Sequence, residues 1–184
     1  MASTTYFSDH FATQTAATAS PSTVTSPIVR VSAGVSGSRV RYKRAQVITT
    51  IASDSTDVYR FFTLKSGARL INMWISSDGG CTAGSVDVGL HLSGTNHDGA
   101  VVDANLFGDD VTVSSAISKT AVVIEATTIQ HEDTGLTLWE MANIGAATLT
   151  EDPLVNYDIT ATPNTTLSVA VCELTLECLY TDGT

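Results

Sequence analysis

An all-β fold is expected of this chain: a jelly-roll-like antiparallel β-sandwich with an extended N-terminal arm. Three observations lead there. Short alternations of apolar and polar residues recur along residues 28–184. Clusters of Gly, Pro, Asp, Asn and Ser separate them. Sustained 3.6-residue periodicity is missing; only Ala104–Phe107 reads as a single helical turn. Roughly nine or ten short strands mean a sandwich or barrel, and the jelly roll is the commonest arrangement of about eight. A fixed-period repeat is also missing, which argues against a propeller or solenoid.

Residues 1–27 read as a flexible or extended arm, and residues 28–184 as the sandwich domain. Twelve residues between Ser3 and Ser26 are Ser or Thr, and Pro21 and Pro27 interrupt the tract. Such a segment cannot alone bury enough apolar surface to offset its ordering. Tyr6, Phe7 and Phe11 favour an arm that orders against a neighbour. A fully extended arm of this length reaches about 90 Å.

Strands are then expected at Ile28–Ala33, Arg39–Arg44 and Gln46–Ala52. Val58–Leu64 and Ala68–Ser76 read as a hairpin about Lys65-Ser66-Gly67. The second of these belongs centrally, because Leu70, Ile71, Met73, Trp74 and Ile75 are apolar on both faces. Ser76-Ser77-Asp78-Gly79-Gly80 is a turn signal. It leads to the clearest alternation, Ser85–Leu92, with Val86, Val88, Leu90 and Leu92 on one side and Ser85, Asp87, Gly89 and His91 on the other. Further strands are expected at Thr120–Ala126, Leu136–Met141 and Val155–Ala161. In the last strand, Thr166–Tyr180, one face runs Ala170, Cys172, Leu174, Leu176, Cys178, Tyr180. The other turns from Leu167, Val169 and Val171 to Glu173, Thr175 and Glu177. That change predicts a strand near the end of a sheet, with one half wet on one side.

The chain has 184 residues, 43% hydrophobic and only 15% charged, against about 25% charged in an average protein. A net charge of -10 argues against nucleic acid or an anionic membrane as partner. Charge is also segregated. Residues 1–69 hold eight of the nine basic residues and three acids, a net of +5. Residues 70–184 hold Lys119 and sixteen acids, a net of -15. This suits docking by one end onto something acidic, or copies packed head to tail. The N-terminus shows no secretion signal and no apolar run nears ~18 residues, so a soluble protein made in a cytoplasm is expected. Cys81, Cys172 and Cys178 show no CxxC spacing and are expected as buried free thiols.

Catalysis needs convergent acids, bases or nucleophiles. His10, His91, His97 and His131 show no HExxH or HxH spacing, and no GxSxG elbow is present. The expectation is no enzyme, no catalytic residue and no cofactor. The loop Asn96-His97-Asp98-Gly99, Asp103, Asp109-Asp110 offers oxygens of the kind calcium takes. Its spacing is not that of an EF-hand, and Asp-Gly pairs are ordinary turn chemistry. Trp74 and Trp139 fall within apolar strand patterns, which places them in the core rather than in a sugar platform.

The basic stretch Arg30, Arg39, Arg41, Lys43 and Arg44 stands out. Alternation puts Arg39, Arg41 and Lys43 on one strand face and Val40 and Tyr42 on the other. Two readings stand: an edge strand using cations against aggregation, or a docking surface for acidic partners. The candidate partner-binding residues are therefore Tyr6, Phe7, Phe11, Arg30, Arg39, Arg41, Lys43 and Arg44.

Two ordered groups of motifs carry a resemblance. The first runs Val58-Tyr59-Arg60-Phe61-Phe62-Thr63-Leu64-Lys65-Ser66-Gly67-Ala68-Arg69-Leu70, then Ser76-Ser77-Asp78, then Gly84-Ser85-Val86-Asp87-Val88-Gly89. The second runs Leu136-Thr137-Leu138-Trp139-Glu140, Glu151-Asp152-Pro153, Tyr157-Asp158-Ile159-Thr160-Ala161-Thr162 and the final strand. Over roughly residues 55–180 this order resembles tailed-bacteriophage virion structural proteins, including head decoration (cement) proteins. Gly145–Thr150 is an insert relative to that family, and the N-terminal tract has no counterpart in it. The resemblance implies a sandwich that binds the major capsid protein on the outer surface of the head, often as a homotrimer. It carries over no catalytic residue. A tail or neck subunit, or a receptor- or glycan-binding sandwich, is the alternative.

Overall fold

A computed structural model describes residues 5–7, 40–49, 55–78, 81, 84–122, 129, 133, 135–145, 148–164, 167 and 171–182. Among these lie strands β1 (Thr5–Phe7), β2 (Val40–Thr49), β3 (Val58–Lys65), β4 (Arg69–Asp78), β5 (Ser85–Leu92), β6 (Val101–Thr112) and β7 (Ala116–Ala121). Helix α1 (Leu138–Gly145), β8 (Asn156–Pro163) and β9 (Cys172–Thr181) follow. The strands form two sheets, ordered β1-β3-β8-β5-β6 and β2-β9-β4-β7. With β1 set aside, β2 to β9 split into two four-stranded sheets with the strand order of a jelly roll. Those strands pair antiparallel; β1 joins β3 in parallel.

The core lies between the sheets. Phe61, Met73, Ile75, Leu90, Ile159 and Leu176 are fully enclosed there. The expected alternation holds on β9, where Cys172, Leu174, Leu176, Cys178 and Tyr180 are all buried. The central position expected for β4 is also found, between β9 and β7.

Other expectations change. Val58–Leu64 and Ala68–Ser76 are strands but not a hairpin, because β3 and β4 belong to different sheets. The turn between them carries the chain across the sandwich. It is held by Ala68 N–H to Lys65 O at 3.0 Å and Ser66 N–H to Val155 O at 2.9 Å. The two strands expected on either side of Ala45 are one, since Ala45 is itself an inward residue, 1% exposed. The turn expected at Ala104–Phe107 is part of β6. β9 is the second strand of its sheet, beside the edge strand β2, but the wet half expected of it is not found. Its Thr175 and Glu177 are buried, not wet. Of the strand expected at Thr120–Ala126, Thr120 and Ala121 end β7, and 123–126 lie outside the described residues. Ile28–Ala33 lies outside the described residues.

Leu136–Met141 is mostly the start of α1, not a strand. Thr137, just before the helix, donates both its N–H (2.7 Å) and its hydroxyl (2.6 Å) to the Glu140 carboxylate. These bonds hold Glu140 below the usual carboxylate range. This is the Thr-x-x-Glu signature of a helix start.

Cys81 and Cys172 form a disulfide, not two free thiols. The β4–β9 register, with Ser77 opposite Leu174, brings the residues after β4 to the start of β9. The Cα atoms are 4.7 Å apart across 91 residues of chain, within the range a disulfide spans. Cys178 stays free and buried, and burial pushes its thiol up to about 12.

Candidate interaction surface

The basic strand β2 lies at the edge of the β2-β9-β4-β7 sheet. Its alternation divides the cations between two faces. Lys43, on the side of Ala45 and Val47, turns inward. Its ammonium donates to Thr63 O of the opposite sheet at 2.6 Å and lies 5.8 Å from the Tyr180 ring centre. Burial lowers its pKa. Lys43 thus ties the two sheets together. Arg41 pairs with Asp182 at 2.5 Å, with 46% of its side chain exposed. Arg44 points to the outer face, 3.4 Å from Glu177 and 45% exposed.

The outer face of the same sheet carries an apolar patch. Tyr42, Leu179 and Asn72 stand in one row across β2, β9 and β4, and Val40, Thr181 and Arg69 in the next. A bulge between Leu70 and Asn72 adds Ile71. Leu70 and Met73 both face the core, so the bulge turns Ile71 outward. Val40, Tyr42 and Ile71 are 49%, 36% and 45% exposed. Arg44 and Arg69 stand on this face in neighbouring rows, whereas Arg41 alternates to the side of Lys43 and pairs with Asp182. An exposed apolar centre with arginines beside it has the composition common at protein-binding surfaces.

Along the same face lies a groove of about 220 Å³, lined by Arg44, Ser76, Asp78, Glu173 and Glu177 among others. Glu177 ties its walls, pairing with Arg44 and, at 2.8 Å, with Lys119. The Lys119 ammonium sits 5.7 Å from the Trp74 ring centre. Burial and the Glu177 carboxylate, which also accepts a hydrogen bond from Tyr42, push the Tyr42 phenol up to about 12.

A second polar cluster lies within the five-stranded sheet. Arg60 on β3 donates to Asp158 Oδ2 on β8 at 2.8 Å, to Leu92 O at 3.2 Å and to Gly99 O at 2.8 Å. Asp158 Oδ1 accepts the Thr63 hydroxyl at 2.8 Å. His97 Nδ1 lies 3.1 Å from Asp158 Oδ2. Next to it, the Thr160 hydroxyl donates to Gly89 O at 3.3 Å, so its oxygen accepts from His91 Nδ1 at 3.0 Å. Burial, then the Arg60 charge, lowers His91 to about 4. His91 was expected on a polar face; the structure buries it, and β6 comes close over the neighbouring Gly89. A Cβ on Gly89 would meet Asp103 O at 2.1 Å, so only glycine permits this approach. Both Asp158 oxygens are engaged and the residue is wholly buried. The cluster clamps residues 93–99 to the sheet.

Among the described residues, no group of three or more His, Cys, Asp or Glu side chains converges as a metal site. Asp110 instead accepts from Ser85 and Asn164, and its N–H donates to Asp87 at 2.8 Å. Trp74 and Trp139 are half-buried, and Trp139 packs on the core.

The sequence-derived candidates thus divide. Arg44 lies beside the patch, Arg41 pairs with Asp182 on the other face, and Lys43 turns into the sandwich. The backbones of Tyr6 and Phe7 pair with Tyr59 and Arg60 on β3. Phe11, Arg30 and Arg39 lie outside the described residues. Ile71 and Arg69 were not among the candidates, because a bulge leaves no mark in an apolar run.

No model of a known protein family matches the chain, and no curated protein matches it. Solved structures that resemble it include two phage capsids. A chain of the cyanophage Pam1 capsid asymmetric unit aligns with a TM-score of 0.48 at 17% identity, over 86% of this chain and 98% of that one. A chain of the capsid of Ralstonia phage GP4 aligns with a TM-score of 0.49 at 13% identity, over 82% of this chain and 90% of that one. Both scores fall below 0.5, so neither likeness decides the role of this chain.

Proposed function

We propose that this chain is a virion structural protein. In this reading it is a cement protein that binds the outer surface of a phage head and bridges neighbouring shell subunits as a homotrimer. It is made in the host cytoplasm and performs no catalysis. The observation that carries the reading is the exposed patch of Val40, Tyr42 and Ile71, with Arg44 and Arg69 on the same sheet face. An exposed apolar group of this kind on a rigid sheet suits adhesion.

Two further features support it. The motif order over residues 55–180 resembles head decoration proteins. The jelly-roll frame also serves viral capsid domains, although a fold alone selects no function. The proposed partner is the major capsid protein, met by an acidic rim that complements the arginines. The N-terminal segment with Tyr6, Phe7, Phe11, Arg30 and Arg39 adds further attachment points, which multiply affinity. Lys43 supports the surface from within.

Binding to heads stripped of this protein tests the proposal. Tyr42→Asp/Ile71→Asp and a deletion of residues 1–27 are each expected to lower occupancy at least tenfold. Full occupancy by both variants rejects it.

A further inference from the structure

β1 is the outermost strand of its sheet and lies parallel to β3, with Thr5 opposite Val58, Tyr6 opposite Tyr59 and Phe7 opposite Arg60. A three-residue pairing supplies only a few hydrogen bonds, each of modest net value. Within one chain those bonds must offset the entropy of bringing the two segments together. In sequence β1 and β2 are separated by 32 residues, Ser8 to Arg39. Such a length spans up to about 110 Å when extended. The sandwich itself is roughly 40 Å across by the usual size scaling. The tether therefore does not fix which copy supplies the strand.

We propose that the edge of β3 accepts Thr5–Phe7 from a second copy of this chain, so that neighbouring copies exchange arms. The proposal rests on the self-association in the reading above and names its physical link. Main-chain pairing at a sheet edge makes the same bonds with any copy of the segment. When copies are held side by side, the effective concentration of a neighbour's arm matches that of the chain's own. Exchange then adds a connection between copies at no loss of pairing, the logic of domain swapping.

The test uses Cα partners in this register. Thr5→Cys and Val58→Cys are made as separate full-length variants, unfolded and refolded together, then oxidised with a small-molecule disulfide. Wild type treated alike controls for Cys81, Cys172 and Cys178. Exchange predicts a covalent dimer in the mixture, and linked multimers from the Thr5→Cys/Val58→Cys double variant. No dimer in the mixture, with only internally closed monomers from the double variant, overturns the proposal. Should the cysteine variants fail to fold, deletion of residues 1–7 decides instead. A folded monomer supports exchange, and an unchanged assembly rejects it. These assays use the isolated protein, so loss of head binding with cross-linking intact would reject only the shell-docking role.

Discussion

The Asp158 carboxylate on β8 holds the Arg60 guanidinium on β3 at 2.8 Å, with the two side chains 0% and 3% exposed. The same guanidinium reaches Leu92 O and Gly99 O, so one ion pair joins two strands and fastens the β5–β6 loop. Removing one partner leaves a buried charge uncompensated. Arg60→Ala and Asp158→Ala are each expected to cost about 3–5 kcal/mol. Replacing both together, as Arg60→Met/Asp158→Leu, is expected to cost less than the two losses added. Urea unfolding checks this, and losses below about 1 kcal/mol for both single variants would contradict it.

His91 makes stability depend on pH. Its folded pKa is about 4 against an ordinary 6.5. Between those values the unfolded chain binds a proton that the folded chain refuses, so stability falls as pH drops from 6.5 toward 4. The contribution approaches about 3 kcal/mol. His91→Gln is expected to flatten this part of the profile relative to wild type. Urea midpoints of both proteins at pH 7 and pH 4.5 measure the difference.

The Cys81–Cys172 bond closes a loop of 91 residues, for which chain entropy suggests about 4–5 kcal/mol. Cys81→Ser/Cys172→Ser is expected to lower stability by that order. A reductant is expected to leave the folded protein intact until the buried bond is exposed by denaturant. Thermal melts with and without reductant test both points.

Leu154 lies at φ 52° and is 86% exposed, held by its N–H to Asp152 Oδ1 at 2.9 Å. Left-handed backbone is unfavourable for leucine and tolerated by asparagine. With no packing to lose, Leu154→Asn is expected to stabilise by roughly 0.5–1 kcal/mol. A loss of stability would show that the leucine side chain supports its loop.

Much of the fold could be read from the residues because alternation survives wherever one face is buried. Val86, Val88 and Leu90 declared β5, and the apolar run from Leu70 to Ile75 declared a central strand. What failed shares a cause. The β3–β4 connection, the disulfide and the burial of Thr175 and Glu177 on β9 all depend on which sheet a strand joins, and local pattern does not encode that. β6 escaped notice because its register against β5 is interrupted three times. The α1 start was legible, since Thr137 and Glu140 carry a capping signal that the apolar Leu138-Trp139 pair masked. For the surface, composition found Arg44. It could not separate it from Arg41, on the other strand face, or from Lys43, whose ammonium meets a carbonyl from a strand 20 residues away.

Electron microscopy of the intact particle at side-chain resolution examines the adhesive role most directly. We expect Val40, Tyr42 and Ile71 to be buried against the outer surface of the head shell, with acidic shell residues facing Arg44 and Arg69. A particle in which this sheet face is open to solvent, or in which the chain sits in the tail or neck, would contradict it.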